Sequence, residues 1–125
     1  MHMSQVVTLQ NAQIFQKGNK VLSDVNFEIV ESQFVYLIGK TGSGKSSLLK
    51  TIYGELKLKE GSGQVDTFDL IKIKSKEIPY LRRSIGIVFQ DFQLLMDRTV
   101  LQNLYFVLKA TGWKKKEEIH ERAMH

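Results

Sequence analysis

The chain is 125 residues long, 42% hydrophobic and 25% charged, with a formal net charge of +5 and no cysteine. That composition describes one globular domain able to bury a sizeable core, and it excludes disulfide scaffolds and thiolate metal sites. No apolar run approaches the roughly 18 residues of a membrane helix, and Met1-His2-Met3-Ser4-Gln5 lacks the basic-then-apolar pattern of a secretory signal, so a cytoplasmic location is expected.

From Val6 to Ile29 the pattern is that of short antiparallel strands: Val6 to Leu9, Ala12 to Phe15, a turn at Lys17-Gly18-Asn19-Lys20, then Val25, Phe27 and Ile29 alternating with polar residues. Phe15, just before the turn, suits two roles. It fills a sheet edge, the commoner use of an aromatic beside a hairpin, or it is a plate on which a base stacks.

Phe34-Val35-Tyr36-Leu37-Ile38 then reads as a buried strand delivering the chain into Gly39-Lys40-Thr41-Gly42-Ser43-Gly44-Lys45-Ser46, which fits G-x-x-x-x-G-K-[ST]. A helix with Leu48, Leu49, Ile52 and Tyr53 on one side follows and ends at Gly54, a plausible left-handed cap. Strand, glycine loop, helix is the context that this phosphate-binding pattern requires. Gly39, Gly42 and Gly44 permit backbone angles that let consecutive N–H groups surround a phosphate. Lys45 is placed to reach the outer phosphates and Ser46 to ligate magnesium at the positive end of the helix. The nucleotide site is therefore expected at Gly39, Lys40, Thr41, Gly42, Ser43, Gly44, Lys45, Ser46 and Ser47, with a nucleotide's phosphates and Mg2+ as its ligands.

Beyond the helix, Gly61-Ser62-Gly63 reads as a turn, and Gln64 to Ile73 as further antiparallel strand. Pro79 restricts Pro79 to Arg83 to a short helix. Ile85-Gly86-Ile87-Val88-Phe89 reads as a second strand buried on both faces, with Gln90 and Asp91 at its end, where open parallel sheets hold ligands. Gln90 suits either a magnesium ligand or a loop cap. Thr99-Val100-Leu101-Gln102 is a capping box opening a helix with Val100, Leu101, Leu104, Tyr105 and Leu108 as its apolar positions, closed by Gly112. A last helical stretch, Lys114 to His125, carries the i,i+4 pair Glu118 and Arg122. The positive net charge favours anionic partners without choosing among them, but the lysines are scattered and Lys114-Lys115-Lys116 is followed at once by Glu117-Glu118. A solvated helix face, and no nucleic-acid binding, is the expectation.

The loop Gly39–Ser46, the upstream Phe15 and the run Ile85-Gly86-Ile87-Val88-Phe89-Gln90 together resemble the nucleotide-binding domain of ABC transporters. The run Phe89 to Val100 is similar to the cell-division branch of that family, the FtsE-type ATPases. The resemblance implies an α/β P-loop NTPase with a RecA-like core and an antiparallel β-subdomain. It implies ATP with magnesium, stacking of adenine on Phe15, and a magnesium-ligating Gln90 coupled to a membrane protein. The implied partner is an FtsX-like integral membrane protein, the complete protein a homodimer, and the location peripheral, on the inner face of the plasma membrane.

Ser32 stands where the family usually has glycine, and Ser47 where it often has Thr. The sequence also contains no L-S-G-G-Q signature, no apolar run ending in Asp-Glu and no switch histidine, since His120 and His125 do not stand where it belongs. Residues 1–125 are accordingly expected to be the N-terminal part of one such domain, binding nucleotide without hydrolysing it alone. An ABC exporter or lipoprotein-release subunit, or a non-enzymatic nucleotide- or partner-binding module, are the alternatives. In the family's strand order, strands from the other half lie between Phe34–Ile38 and Ile85–Phe89, so self-association of this chain through those edges is expected as well.

Overall fold

The computed structural model describes residues 4–89 and 93–125, arranged as two compact units, Met1–Gly86 and Ile87–His125. Gln90 and Asp91, candidate site residues, lie outside the described residues.

The first unit is built on a four-stranded antiparallel sheet: β1 (Gln5–Gln16), β2 (Asn19–Val30), β3 (Glu60–Val65) and β4 (Phe68–Asp69), in the order β2-β1-β3-β4. The expected short strands are two long ones, joined by a two-residue turn in which Lys17 and Gly18 both have positive φ, +50° and +79°. That is the turn geometry whose twist matches the strands it joins.

The alternation along β1 changes phase. Val7 and Leu9 face the core, and so do Ala12 and Ile14. One extra residue restores the inward face, and it sits where Leu9 pairs with Phe27 but Ala12 with Val25. Asn11 carries this bulge at φ +49°, its N–H donating to Asn26 Oδ1 at 2.8 Å. Across it, Asp24 makes the answering bulge in β2 at φ +50° and accepts from Gln13 Nε2 at 2.8 Å. Asn and Asp tolerate the left-handed region better than other side chains.

Gly61-Ser62-Gly63 belongs to β3 and not to a turn, a correction with a steric cause. A Cβ on Gly61, at φ +87°, would collide with the Asn11 carbonyl, and one on Gly63 would lie 2.6 Å from Leu9 Cδ2. The glycines allow β3 to press against the bulged strand. The expected strand through Leu70, Ile71 and Ile73 is instead a turn, because Asp69 Oδ1 accepts from the N–H groups of Ile71 (2.8 Å) and Lys72 (3.2 Å) and bends the chain away. Leu70 and Ile73 are still buried there.

Helix α1 (Lys45–Ile52) lies against β1 and closes the core with Leu48, next to Leu58, Val65 and Leu81. Its buried face is Ser47, Leu48 and Thr51, while Leu49, expected inside, is exposed. Gly54 ends the helix at φ +82°: its N–H donates to Thr51 O and that of Glu55 to Lys50 O, which satisfies the last carbonyls. The short helix α2 (Ile78–Arg83) holds Pro79 in its first turn, as expected, and buries Leu81 completely.

Phe34–Ile38 and Ile85–Phe89, expected as buried core strands, belong to no ladder among the described residues. Phe34 and Ile38 are 82% and 88% exposed, and Val88 fully so. A run apolar on both faces needs neighbours along its edges, and no strand among the described residues pairs with either run, although Ile85 packs against the core. Thus the antiparallel β-subdomain is present in the described structure, and a parallel core sheet is not.

In the second unit, α3 (Val100–Ala110) starts at a formed capping box: Gln102 N–H donates to Thr99 Oγ1 at 3.1 Å and Thr99 N–H to Gln102 Oε1 at 2.9 Å. Leu101, Tyr105 and Leu108 are half-buried, whereas Val100 and Leu104 are exposed. Gly112, at φ +105°, closes the helix. Helix α4 (Lys116–Met124) packs on α3 through the buried Ile119; the ion pair seen here is Lys115 to Glu118 at 3.3 Å, not the expected Glu118 with Arg122. No helix among the described residues is long and apolar enough to cross a membrane.

Candidate functional site

Ser32 begins the approach to the loop with φ +67°, a conformation that costs any residue with a Cβ. A glycine preference at this position thus has a backbone cause. Residues 33–40 are exposed and outside any helix or strand, and the loop then turns through Thr41 to Ser43, where Ser43 N–H donates to Lys40 O at 3.0 Å.

The three loop glycines have different causes. Gly42 and Gly44 are left-handed, at φ +82° and +95°, as expected. Gly39 is not; there a Cβ would lie 2.5 Å from Ser43 Oγ and 3.5 Å from Lys45 Nζ, so an added side chain would displace the Ser43 hydroxyl from its place beside Lys45. Gly44 is crowded as well, its hypothetical Cβ standing 2.8 Å from Leu22 Cγ.

Gly44 is also the N-cap of α1, and it has no side chain to occupy the helix end. Leu48 N–H makes the first helical bond, to Gly44 O at 3.0 Å, so the N–H groups of Lys45, Ser46 and Ser47 have no acceptor within the helix. The first turn also lacks acidic residues. An open, positive helix end is a ready anion site. Lys45 Nζ adds a full charge: it donates to the carbonyls of Gly39 and Lys40 (2.8 Å for the latter) and to Ser43 Oγ at 3.3 Å, which holds the ammonium across the mouth of the loop. Ser46 is exposed, and Ser47 is buried.

These groups open on a pocket of about 330 Å³. Thr41, Gly42, Gly44, Lys45, Ser46 and Ser47 form one wall, and Gln16 and Val21 of the hairpin the other. A larger groove of about 520 Å³ between β4 and α2, lined by Phe68, Asp69, Lys72 and Tyr80 among others, lacks this convergence of N–H donors on one cation-bearing loop.

Phe15 is half-buried with Lys20 Nζ 5.7 Å from its ring centre, and it is not among the residues lining the pocket. The bulge is the reason. It sets Ile14 inward, which sends Phe15 to the other face and returns Gln16 to the side of α1, where Ser47 Oγ–H donates to Gln16 Oε1 at 2.5 Å. Sequence reasoning missed Gln16 and Val21. The signal was present in the doubled polar pair Gln10-Asn11, which breaks the alternation of β1.

Residues 22–125 match the family described as "ABC transporter". The chain belongs to the ABC transporter family. Several of the relatives to which this ABC chain is similar are named cell division ATP-binding protein FtsE. That of Streptococcus pneumoniae is 37% identical over 110 residues, 88% of this chain and 47% of that protein; that of Bacillus subtilis is 44% identical over 98 residues, 78% and 43% respectively. The chain spans about half the length of the curated relatives it matches. Among solved structures, the ATP-binding cassette MJ0796, described as a dimeric post-hydrolysis state bound to ADP and Pi, superposes with a TM-score of 0.79 at 34% identity over 94% of this chain and 54% of that one. The CbiO1 protein of Clostridium perfringens, part of an ABC transporter complex, superposes with the same score at 30% identity over 94% and 47%. The ABC cassette fold is thereby shown, and the P-loop NTPase class with it.

Proposed function

We propose that this chain is the ATP-binding part of an FtsE-like ABC ATPase, holding Mg-ATP on Gly39–Ser47 and acting with an FtsX-like integral membrane protein in cell division. The observation that carries the nucleotide reading is the Lys45 ammonium held across a loop whose helix end offers free N–H groups. The residues fit a polyphosphate. The glycine cradle has no side chain to fill it, every charged group placed there is cationic, and the exposed Ser46 hydroxyl is the group that would ligate magnesium. When bound, magnesium supplies charge neutralisation at the outer phosphates. Gln90 is the second proposed ligand.

The cell-division role rests on the relatives' names, the membrane partner on the family resemblance, and homodimerisation of the complete protein on the dimeric state described for a structural neighbour. A peripheral position on the inner face of the plasma membrane follows from such a partner. Turnover requires an acidic base and a signature segment that this sequence does not contain, so the chain's own share is binding, and its residues correspond to the β-subdomain, the phosphate loop and the Gln90 segment of the domain.

Calorimetry of Mg-ATP binding to Lys45→Ala tests the reading. Loss of one charge-assisted contact costs about 1.5–3 kcal/mol, tenfold or more in affinity, with the loss of charge on three phosphates adding to it. Binding as tight as that of the parent chain would remove the loop as the phosphate site.

A further inference from the structure

The pocket wall opposite the loop contains a polar group that the phosphate-loop pattern does not include. Gln16, the last residue of β1, is half-buried and lines the pocket, and its Oε1 accepts from the buried Ser47 hydroxyl at 2.5 Å. The amide oxygen is the atom that faces Ser47, which leaves the amide nitrogen to another partner. Ser47 thereby spends its only proton on Gln16. The Gln16 Nε2 donors make no hydrogen bond among the described residues, although the group borders a pocket whose other wall carries the Lys45 ammonium and the open end of α1.

We propose that Gln16 is a nucleotide-contacting residue, positioned by Ser47, whose amide N–H donates to a non-bridging oxygen of the phosphate next to the nucleoside. The placement argues for that phosphate. Lys45 lies at the mouth of the loop, Ser47 is two residues further into α1, and Gln16, bonded to Ser47, lines the pocket together with the apolar side chain of Val21, which offers a surface to a nucleoside and none to a phosphate. The Ser47 bond also ties β1 to the helix of the phosphate loop, so that the hairpin and the loop present their groups together. This inference rests on the nucleotide reading of the pocket.

The test uses the 125-residue chain with Mg-ADP as probe. Gln16→Met keeps the length of the side chain and removes both its donors and the acceptor of the buried Ser47 hydroxyl; the unfolding midpoint without nucleotide is expected to fall for that reason, and the dissociation constant to rise about tenfold in addition. In the parent chain, the side-chain amide signals of Gln16 in a nitrogen–proton correlation spectrum, identified by their loss in the variant, are expected to shift on saturation. A structural tie alone predicts the lower midpoint with unchanged affinity and unmoved amide signals, and that result overturns the proposal. If the parent chain does not bind Mg-ADP, the nucleotide reading falls and this inference with it. If the parent binds and Gln16→Met binds equally well, only the inference falls.

Discussion

Replacing Gly44 by alanine adds one methyl group at the point where hairpin and loop meet, and two separable costs follow. The backbone there has φ +95°, and holding an L-residue in the left-handed region costs about 1–2 kcal/mol. The new Cβ would also lie 2.8, 3.0 and 3.2 Å from three carbons of Leu22. Leu22 is itself packed against the core, so relief requires β2 or α1 to shift, and overpacking of this kind costs about 1–3 kcal/mol. The expected destabilisation is about 2–5 kcal/mol. Gly42→Ala isolates the first cost, because Gly42 has a similar φ of +82° and nothing within 4 Å of the added atom. Urea denaturation of the parent and both variants gives the two costs by difference. If Gly44→Ala proved no less stable than Gly42→Ala, the packing of Leu22 onto the loop would be wrong, and so would the claim that sterics, beyond backbone freedom, require that glycine.

Thr99→Ala removes the side chain that caps α3 and should cost about 1 kcal/mol, read as faster amide exchange in the first turn of that helix; unchanged exchange there would deny the capping box any stabilising part. Ser32→Gly relieves a left-handed serine and should leave stability unchanged or raise it by up to about 1 kcal/mol in the same denaturation assay, whereas a loss would contradict the strain read at φ +67°. The bare run Phe34–Ile38 should drive self-association of the 125-residue chain, visible in light scattering as mass that rises with concentration and falls in Tyr36→Lys; a parent chain that stays monomeric would refute this.

The loop was legible because its pattern is local. A strand-to-helix turn of eight residues carries its own glycines, cation and hydroxyl, and nothing distant is needed to place them. Helix ends were legible for the same reason, and Gly54, Gly112 and the Thr99 capping box all stand where the sequence puts them. Long-range neighbours were less legible. Whether Phe34–Ile38 is a strand depends on having a ladder partner, which an apolar run cannot announce by itself. Gly61-Ser62-Gly63 has the composition of a turn, and only the approach of the Asn11 carbonyl shows why the same glycines suit a strand. The site divides along that line as well. The phosphate half was read from its motif, while the hairpin half depends on the phase of β1, and that phase is set by a bulge.

Asn11 also bears on how this part of the chain can vary in length. Ladder pairing on both sides of β1 counts one residue more there than the partner strand needs. A single-residue deletion at that point removes the surplus and leaves Val7, Leu9, Ala12 and Ile14 on the inner face, with Gln16 still toward α1. The same deletion anywhere from Gln13 to Phe15 carries Gln16 to the outer face and puts its neighbour on the pocket wall, exchanging an amide for another chemistry in one step. Length changes within β1 are therefore neutral for the pocket at Gln10–Asn11, and one placed closer to the turn amounts to a substitution at the pocket wall.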